Sequence, residues 1–306
     1  MPSLFDTHVF RGSQAGPRLL ILGAVHGNEK CGSIAIERAL KQLASGELQV
    51  LRGQLTLVPV TNRLAYERNQ RAGDRNLNRN LQRTAAPQDN EDRIANELCP
   101  LLEAHDVLLD LHSFHSPGQP FVMVGPEDNT GSLEPFAHAA EEESLARRLG
   151  VSRAVDGWLD TYARGAARRG VSSSYGMGTT EYLRAHGGYG VTLECGQHED
   201  PLAPEVAHRA ILKGLAHLRL VDAPAPAAQA METLRLVDVW DREQPGDRFA
   251  RPWTSFEPLA AGELVGWRGN GAEVRAPADG FIVFPNVNAT PGAEWFYFAA
   301  RDRRLA

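Results

Sequence analysis

The chain has 306 residues, 42% hydrophobic and 23% charged, which is material for one large domain and a smaller one; its net charge of −6 argues against a nucleic-acid partner. No apolar run is long enough to cross a bilayer, and the opening Met1-Pro2-Ser3-Leu4-Phe5-Asp6 lacks the basic-then-apolar pattern of a secretory leader, so the expectation is a cytoplasmic protein with no membrane partner. Three cysteines, Cys31, Cys99 and Cys195, stand far apart without a CxxC pair, which fits reduced buried thiols and argues against a disulfide scaffold.

The first two thirds alternate strand-like and helix-like stretches. Residues 19–22 form a continuous apolar run, the pattern of a strand buried on both faces. Ile34, Ile36, Ala39, Leu40 and Leu43 then fall near helical spacing, and residues 54–60 read as a second strand. Asp89 is placed to cap a helix that carries Ile94, Leu98, Leu101 and Leu102 along one stripe. Residues 107–111, 121–124 and 189–193 return to strand, and 204–220 read as a helix with Val206, Ile211, Leu212, Leu215 and Leu218 for one face. This alternation predicts an α/β domain over residues 1–221, a mostly parallel sheet flanked by helices. Residues 222–232, rich in Ala and Pro, read as a semi-rigid linker. From 233 to 306 short strand-like segments separated by Gly and Pro predict a small all-β domain covering the site.

The polar residues stand where the strands end. His26-Gly27-Asn28-Glu29 follows the first strand, Asn62-Arg63 the second, His112 closes Asp110-Leu111-His112, and Glu194 closes Val191-Thr192-Leu193-Glu194. Strand C-termini of a parallel sheet share one edge, so His26, Glu29, His112 and Glu194 are expected to converge. Catalytic zinc takes three ligands from the His and carboxylate set and keeps one position open. His26 and Glu29 supply two across a tight turn, and His112 supplies the third, for one Zn2+ per chain. Asp110 shares a strand face with His112 and could orient it from behind.

Gly23-Ala24-Val25-His26-Gly27-Asn28-Glu29, Arg71, Asn78-Arg79, Asp110-Leu111-His112 and Leu193-Glu194 together closely resemble the aspartoacylase and succinylglutamate desuccinylase family, a branch of the zinc carboxypeptidase-like enzymes. The resemblance covers roughly residues 18–220 and extends more faintly into the C-terminal segment. It implies a zinc-dependent amidohydrolase acting on a linear amide in a small N-acyl amino acid, with His26, Glu29 and His112 on the metal. It implies Glu194 as the carboxylate that takes a proton from metal-activated water and returns it to the leaving nitrogen. Arg71 would stabilise the oxyanion, Asn78 and Arg79 would bind the substrate carboxylate, and Arg184 would suit a second carboxylate. Tyr297 is the candidate for the tyrosine that closes on the substrate. Two departures leave the substrate open: Asn76 stands where an acidic or serine-containing sequence is expected, and Cys195-Gly196-Gln197-His198 replaces a Gly-Pro-Gln type of sequence.

A carboxypeptidase acting on short peptides would use the same metal, base and arginines, and a catalytically silent zinc-binding relative would keep the ligands alone. A cysteine hydrolase built on Cys195 and His198 is a third reading. Residues 273–280 faintly resemble the start of a biotinyl or lipoyl carrier, but no lysine follows Lys213, so carriage is excluded. The partner is a small-molecule acyl amino acid, and a homo-oligomer is left open.

Overall fold

The run of leucine and isoleucine that opens the first long strand fixes the layering of the molecule. In the computed structural model, which describes residues 3–306, Leu19 and Ile21 turn to one face of the sheet and Leu20 and Leu22 to the other, and all four are buried. Each face therefore needs a helical cover.

The chain begins with β1 (His8–Arg11) and β2 (Gln14–Gly23), then α1 (Cys31–Ser45), β3 (Arg52–Val58), α2 (Arg63–Arg68) and α3 (Asn90–Glu103). β4 (Val107–Phe114), β5 (Phe121–Met123), α4 (Ala139–Ala146), β6 (Arg153–Asp156), α5 (Trp158–Arg169) and α6 (Thr179–Ala185) follow. β7 (Tyr189–Gln197) and α7 (Ala203–His217) complete the first part. The neighbouring strands β3, β2, β4 and β7 run parallel, so their C-termini lie on one edge. β1 is antiparallel to β3, and β5 is antiparallel to β7.

Local chemistry accounts for the covers. The α1 helix buries Ala35, Ile36 and Ala39 against the sheet beside Ala207, Ile211 and Leu215 of α7, and ends at Gly46 in the left-handed region, φ 77°. Ile34, expected on the apolar stripe, faces outward and is 53% exposed, because the contact face is set by the small residues one position on. The Asp89 side chain caps α3 by accepting the Asp92 N–H at 2.7 Å, and Ile94, Leu98 and Leu102 cover the opposite face.

Residues 222–231 carry no helix or strand, as their Ala and Pro content dictates. Beyond them come β8 (Glu232–Asp241), β9 (Arg248–Phe249), β10 (Pro258–Leu259), β11 (Leu264–Trp267), β12 (Glu273–Arg275), β13 (Gly280–Val283) and β14 (Glu294–Asp302). β9, β11 and β12 form a separate three-stranded sheet, while β8, β14, β13 and β10 continue the central sheet to eleven strands through a parallel β6–β8 pairing, Val155 opposite Leu234. The joint is apolar: Phe114, Phe121 and Val155 pack with Leu234, Leu236, Val239 and Tyr297. At roughly 1.5–3 kcal/mol for each large apolar side chain buried, this contact fixes the C-terminal strands against the edge where the parallel strands end. No helix among the described residues is long and apolar enough to cross a membrane.

Candidate metal centre and substrate cleft

The turn after β2 is bent by Ala24, a non-glycine residue at φ 47°, a conformation that persists only where its surroundings impose it. They do so here: Thr61 N–H binds the Gly23 carbonyl at 2.9 Å and Asn62 N–H binds the Ala24 carbonyl at 3.0 Å. Gly27 lies so close to α2 that a Cβ would sit 1.9 Å from the Ala65 carbonyl carbon. His26 and Glu29 are thereby turned inward, 2% and 1% exposed, and Glu29 N–H closes the turn on the His26 carbonyl at 3.1 Å.

His26 Nδ1 is 2.9 Å from Glu29 Oε1 and His112 Nδ1 is 2.8 Å from Glu29 Oε2. One donor atom from each of the three residues falls within 4.8 Å of the others. The rear faces of the rings each meet an oxygen. His26 Nε2 is 3.0 Å from Asn76 Oδ1, and His112 Nε2 is 2.9 Å from Asp110 Oδ2, though out of line for a hydrogen bond. Two imidazoles backed by polar oxygens and facing one carboxylate make a donor set that fits a divalent transition ion, with Nδ1 of each ring on the ligand side. Asn76, flagged in the sequence only as a departure, therefore fixes His26.

Charge is distributed accordingly. Burial and the nearby Arg71 push His26 down to about 4. Burial alone would raise Glu29, but His26 and His112 hold it well below the carboxylate range. Burial would likewise lower His112, and Asp110 and Glu29 outweigh it and raise it. Glu194 stands opposite His112 in the parallel register of β4 and β7, and burial, reinforced by Glu29, pushes it up to about 8. Its Oε2 is buried without a hydrogen-bond partner.

A cleft of about 340 Å³ opens over these groups, a size suited to a small molecule. The loop that carries Asn76 to Arg79 is pinned by buried Glu91, which accepts the N–H groups of Gly73, Asp74 and Arg75 at 2.9, 3.1 and 3.2 Å. Arg71 donates to Glu29 Oε1 at 2.8 Å and is half exposed. Asn78 Oδ1 accepts the Thr179 N–H at 2.8 Å, tying the loop to the start of α6. The Arg79 guanidinium lies 4.9 Å from the ring centres of both Trp158 and Tyr162. The Tyr297 hydroxyl, also on the cleft wall, is buried without a partner.

Arg184 borders the cleft too, but its guanidinium is engaged within the protein. Nε donates to Glu142 Oε2 at 2.8 Å, Nη1 to Glu134 at 2.8 Å and Glu181 at 3.5 Å, and Nη2 to Glu142 Oε1 at 3.2 Å and the Gly190 carbonyl at 2.8 Å. All five N–H donors have partners. The expected ligand for a second carboxylate is thus a buried tie between α4, α6 and β7. Cys195 alternates to the opposite face from Glu194 and packs in the apolar layer beneath α1 and α7, whereas the His198 ring is 2.9 Å from Ser113 Oγ. The geometry does not join Cys195 and His198 as a catalytic pair.

Residues 15–123 match the model described as the succinylglutamate desuccinylase/aspartoacylase catalytic domain. Over that segment the chain is similar to the catalytic domain of that family. The solved structures of desuccinylase and aspartoacylase relatives share its fold over nearly the whole chain. The product-bound ectoine utilization protein EutE (DoeB) from Ruegeria pomeroyi is 20% identical, with a TM-score of 0.74, over 96% of this chain and 88% of that one. A succinylglutamate desuccinylase/aspartoacylase from Rhodobacter sphaeroides is 18% identical, TM-score 0.74, over 97% and 90%. Succinylglutamate desuccinylase from Vibrio cholerae is 17% identical, TM-score 0.70, over 96% and 90%. No curated protein matches the sequence.

Several cleft residues escaped the sequence reading: Trp158 and Tyr162 of α5, Glu181 of α6, His115, Asn286 and Glu294. The i, i+4 spacing of Trp158 and Tyr162 was the one available signal, since two aromatics on one helical face form a platform.

Proposed function

We propose that this protein is a zinc-dependent amidohydrolase that cleaves the amide bond of a small N-acyl amino acid, with one zinc ion held by His26, Glu29 and His112. The observation that carries the reading is the buried cluster of two imidazoles and one carboxylate on a small cleft, with an unpartnered Glu194 oxygen on the same wall. A bound divalent ion acidifies water and polarises the substrate carbonyl.

The remaining work belongs to the chain. Glu194, ionised once a divalent cation offsets the charge of Glu29, takes a proton from the attacking water and delivers it to the nitrogen as the amide breaks. Arg71, anchored through Glu29, has N–H groups left to face the oxygen that gains charge as the carbonyl becomes tetrahedral, a contribution of about 3–4 kcal/mol in comparable sites. Arg79, fixed in place by two aromatic rings, presents a planar fork to the substrate carboxylate, and Asn78 sets the edge of that subsite. Phe284, Asn286, Glu294 and Tyr297, all from the C-terminal strands and their loops, border the cleft, which favours a short acyl amino acid over an extended peptide.

The test is a panel of N-acyl amino acids and short peptides assayed with zinc and with chelator. Chelator-sensitive release of a free amino acid from the acyl compounds is expected. Faster turnover of the peptides would replace the deacylase reading with the peptidase one.

A further inference from the structure

The charge of the cleft wall narrows the substrate further. Three arginines border the cleft. Arg71 is tied to Glu29 and its remaining N–H groups are assigned to the oxygen of the reacting carbonyl, and every N–H of Arg184 is bonded inside the protein, so Arg79 is the arginine left for a substrate carboxylate. Around Arg184 the balance is anionic: one guanidinium faces Glu134, Glu142 and Glu181. Glu181 and Glu294 also border the cleft directly; Glu294 pairs loosely with Arg169, 3.7 Å away, and its charge also acts on Arg79.

Resting on the deacylase reading, we infer that the substrate carries a single carboxylate, with an uncharged acyl group and an amino-acid side chain that is uncharged or cationic. A second carboxylate would enter a cleft whose three arginines are already committed, with two carboxylates beside it, which costs affinity through desolvation and repulsion. An amide of the same shape avoids that cost, and an ammonium group gains from Glu181 and Glu294. The chain would then differ in substrate from family members named for aspartate or succinylglutamate.

The experiment compares N-acetyl-L-asparagine with N-acetyl-L-aspartate, which match in shape and differ by one charge, together with N-acetyl-L-ornithine and N-succinyl-L-glutamate. With zinc-loaded wild type, kcat/KM for the asparagine and ornithine compounds is expected to exceed that for the two polycarboxylates by roughly tenfold or more. Equal rates, or a preference for aspartate, would overturn the inference. Dissociation constants of the asparagine and aspartate compounds, measured calorimetrically on Glu194→Ala, read the same preference without turnover. If nothing is hydrolysed yet the asparagine compound binds better, the deacylase reading falls and the charge rule stands. In Glu134→Gln, alone and with Glu181→Gln, partners of Arg184 are neutralised, and the ratio should move toward the aspartate compound. A ratio that stays fixed in a folded variant would overturn the assignment to this wall.

Discussion

Glu194 and its neighbour in sequence, Cys195, show how much one step along a strand decides. Alternation sends the carboxyl into the cleft and the thiol into the apolar layer, so Glu194 can act on a bound substrate and Cys195 cannot. Replacing Glu194 by Gln keeps shape and removes the proposed base; the expected outcome is unchanged zinc content with kcat lowered by roughly 10²–10⁴, read by metal analysis alongside steady-state kinetics. Loss of zinc in that variant would make Glu194 a ligand instead. Arg79→Lys retains the charge and loses the planar fork, so KM should rise roughly tenfold with kcat little changed. His26, Glu29, His112 and Glu194 were legible in the sequence because strand ends announce themselves in an apolar pattern. Arg184 misled because its partners Glu142 and Glu134 lie 42 and 50 positions away, and nothing local to Arg184 reports that they close on it.

At the scale of elements, the site depends on close backbone approaches. Gly27→Ala would press a methyl onto the backbone of Ala65 and force the turn bearing His26 away from α2. The expected cost is about 1–3 kcal/mol in urea unfolding, together with weaker zinc retention. A variant as stable as wild type would show that the turn has slack. The segment between β5 and α4 offers a pH test. Burial lifts Glu134 from an ordinary 4.5 to about 7 despite Arg184. A carboxyl with a raised folded value binds more protons folded than unfolded, so its stability contribution is full below about 4.5 and is lost as pH climbs to about 7. Wild type should therefore lose stability relative to Glu134→Gln across that window, seen as diverging melting profiles; parallel profiles would contradict the burial argument. The helices α1, α3 and α7 were readable from their apolar spacing, whereas the stretch between β5 and β7 was not. Its helices are short, and α5 carries its useful face on Trp158 and Tyr162, where aromatic spacing competes with a run of arginine and alanine.

The whole molecule is organised by a sheet that does not stop at the linker. The sequence announced a change of character near residue 222, because Pro and Ala replace the apolar runs there, but strand pairing across such a gap leaves no local mark. Parallel pairing of β6 with β8, and the apolar cluster joining Phe121 and Val155 to Leu234 and Tyr297, mean that removing residues 222–306 would expose a strand edge and a buried surface together. The truncated chain is expected to aggregate, and a soluble, active truncation would contradict this. The larger claim is that the edge where β2, β4 and β7 end is a zinc site. The direct measurement is metal content by mass spectrometry on purified wild type and His26→Ala, with folding checked by circular dichroism. The account predicts about one zinc per wild-type chain and nearly none in the folded variant. A wild type that binds no divalent ion under zinc-replete conditions, or a variant that keeps its zinc, would contradict it.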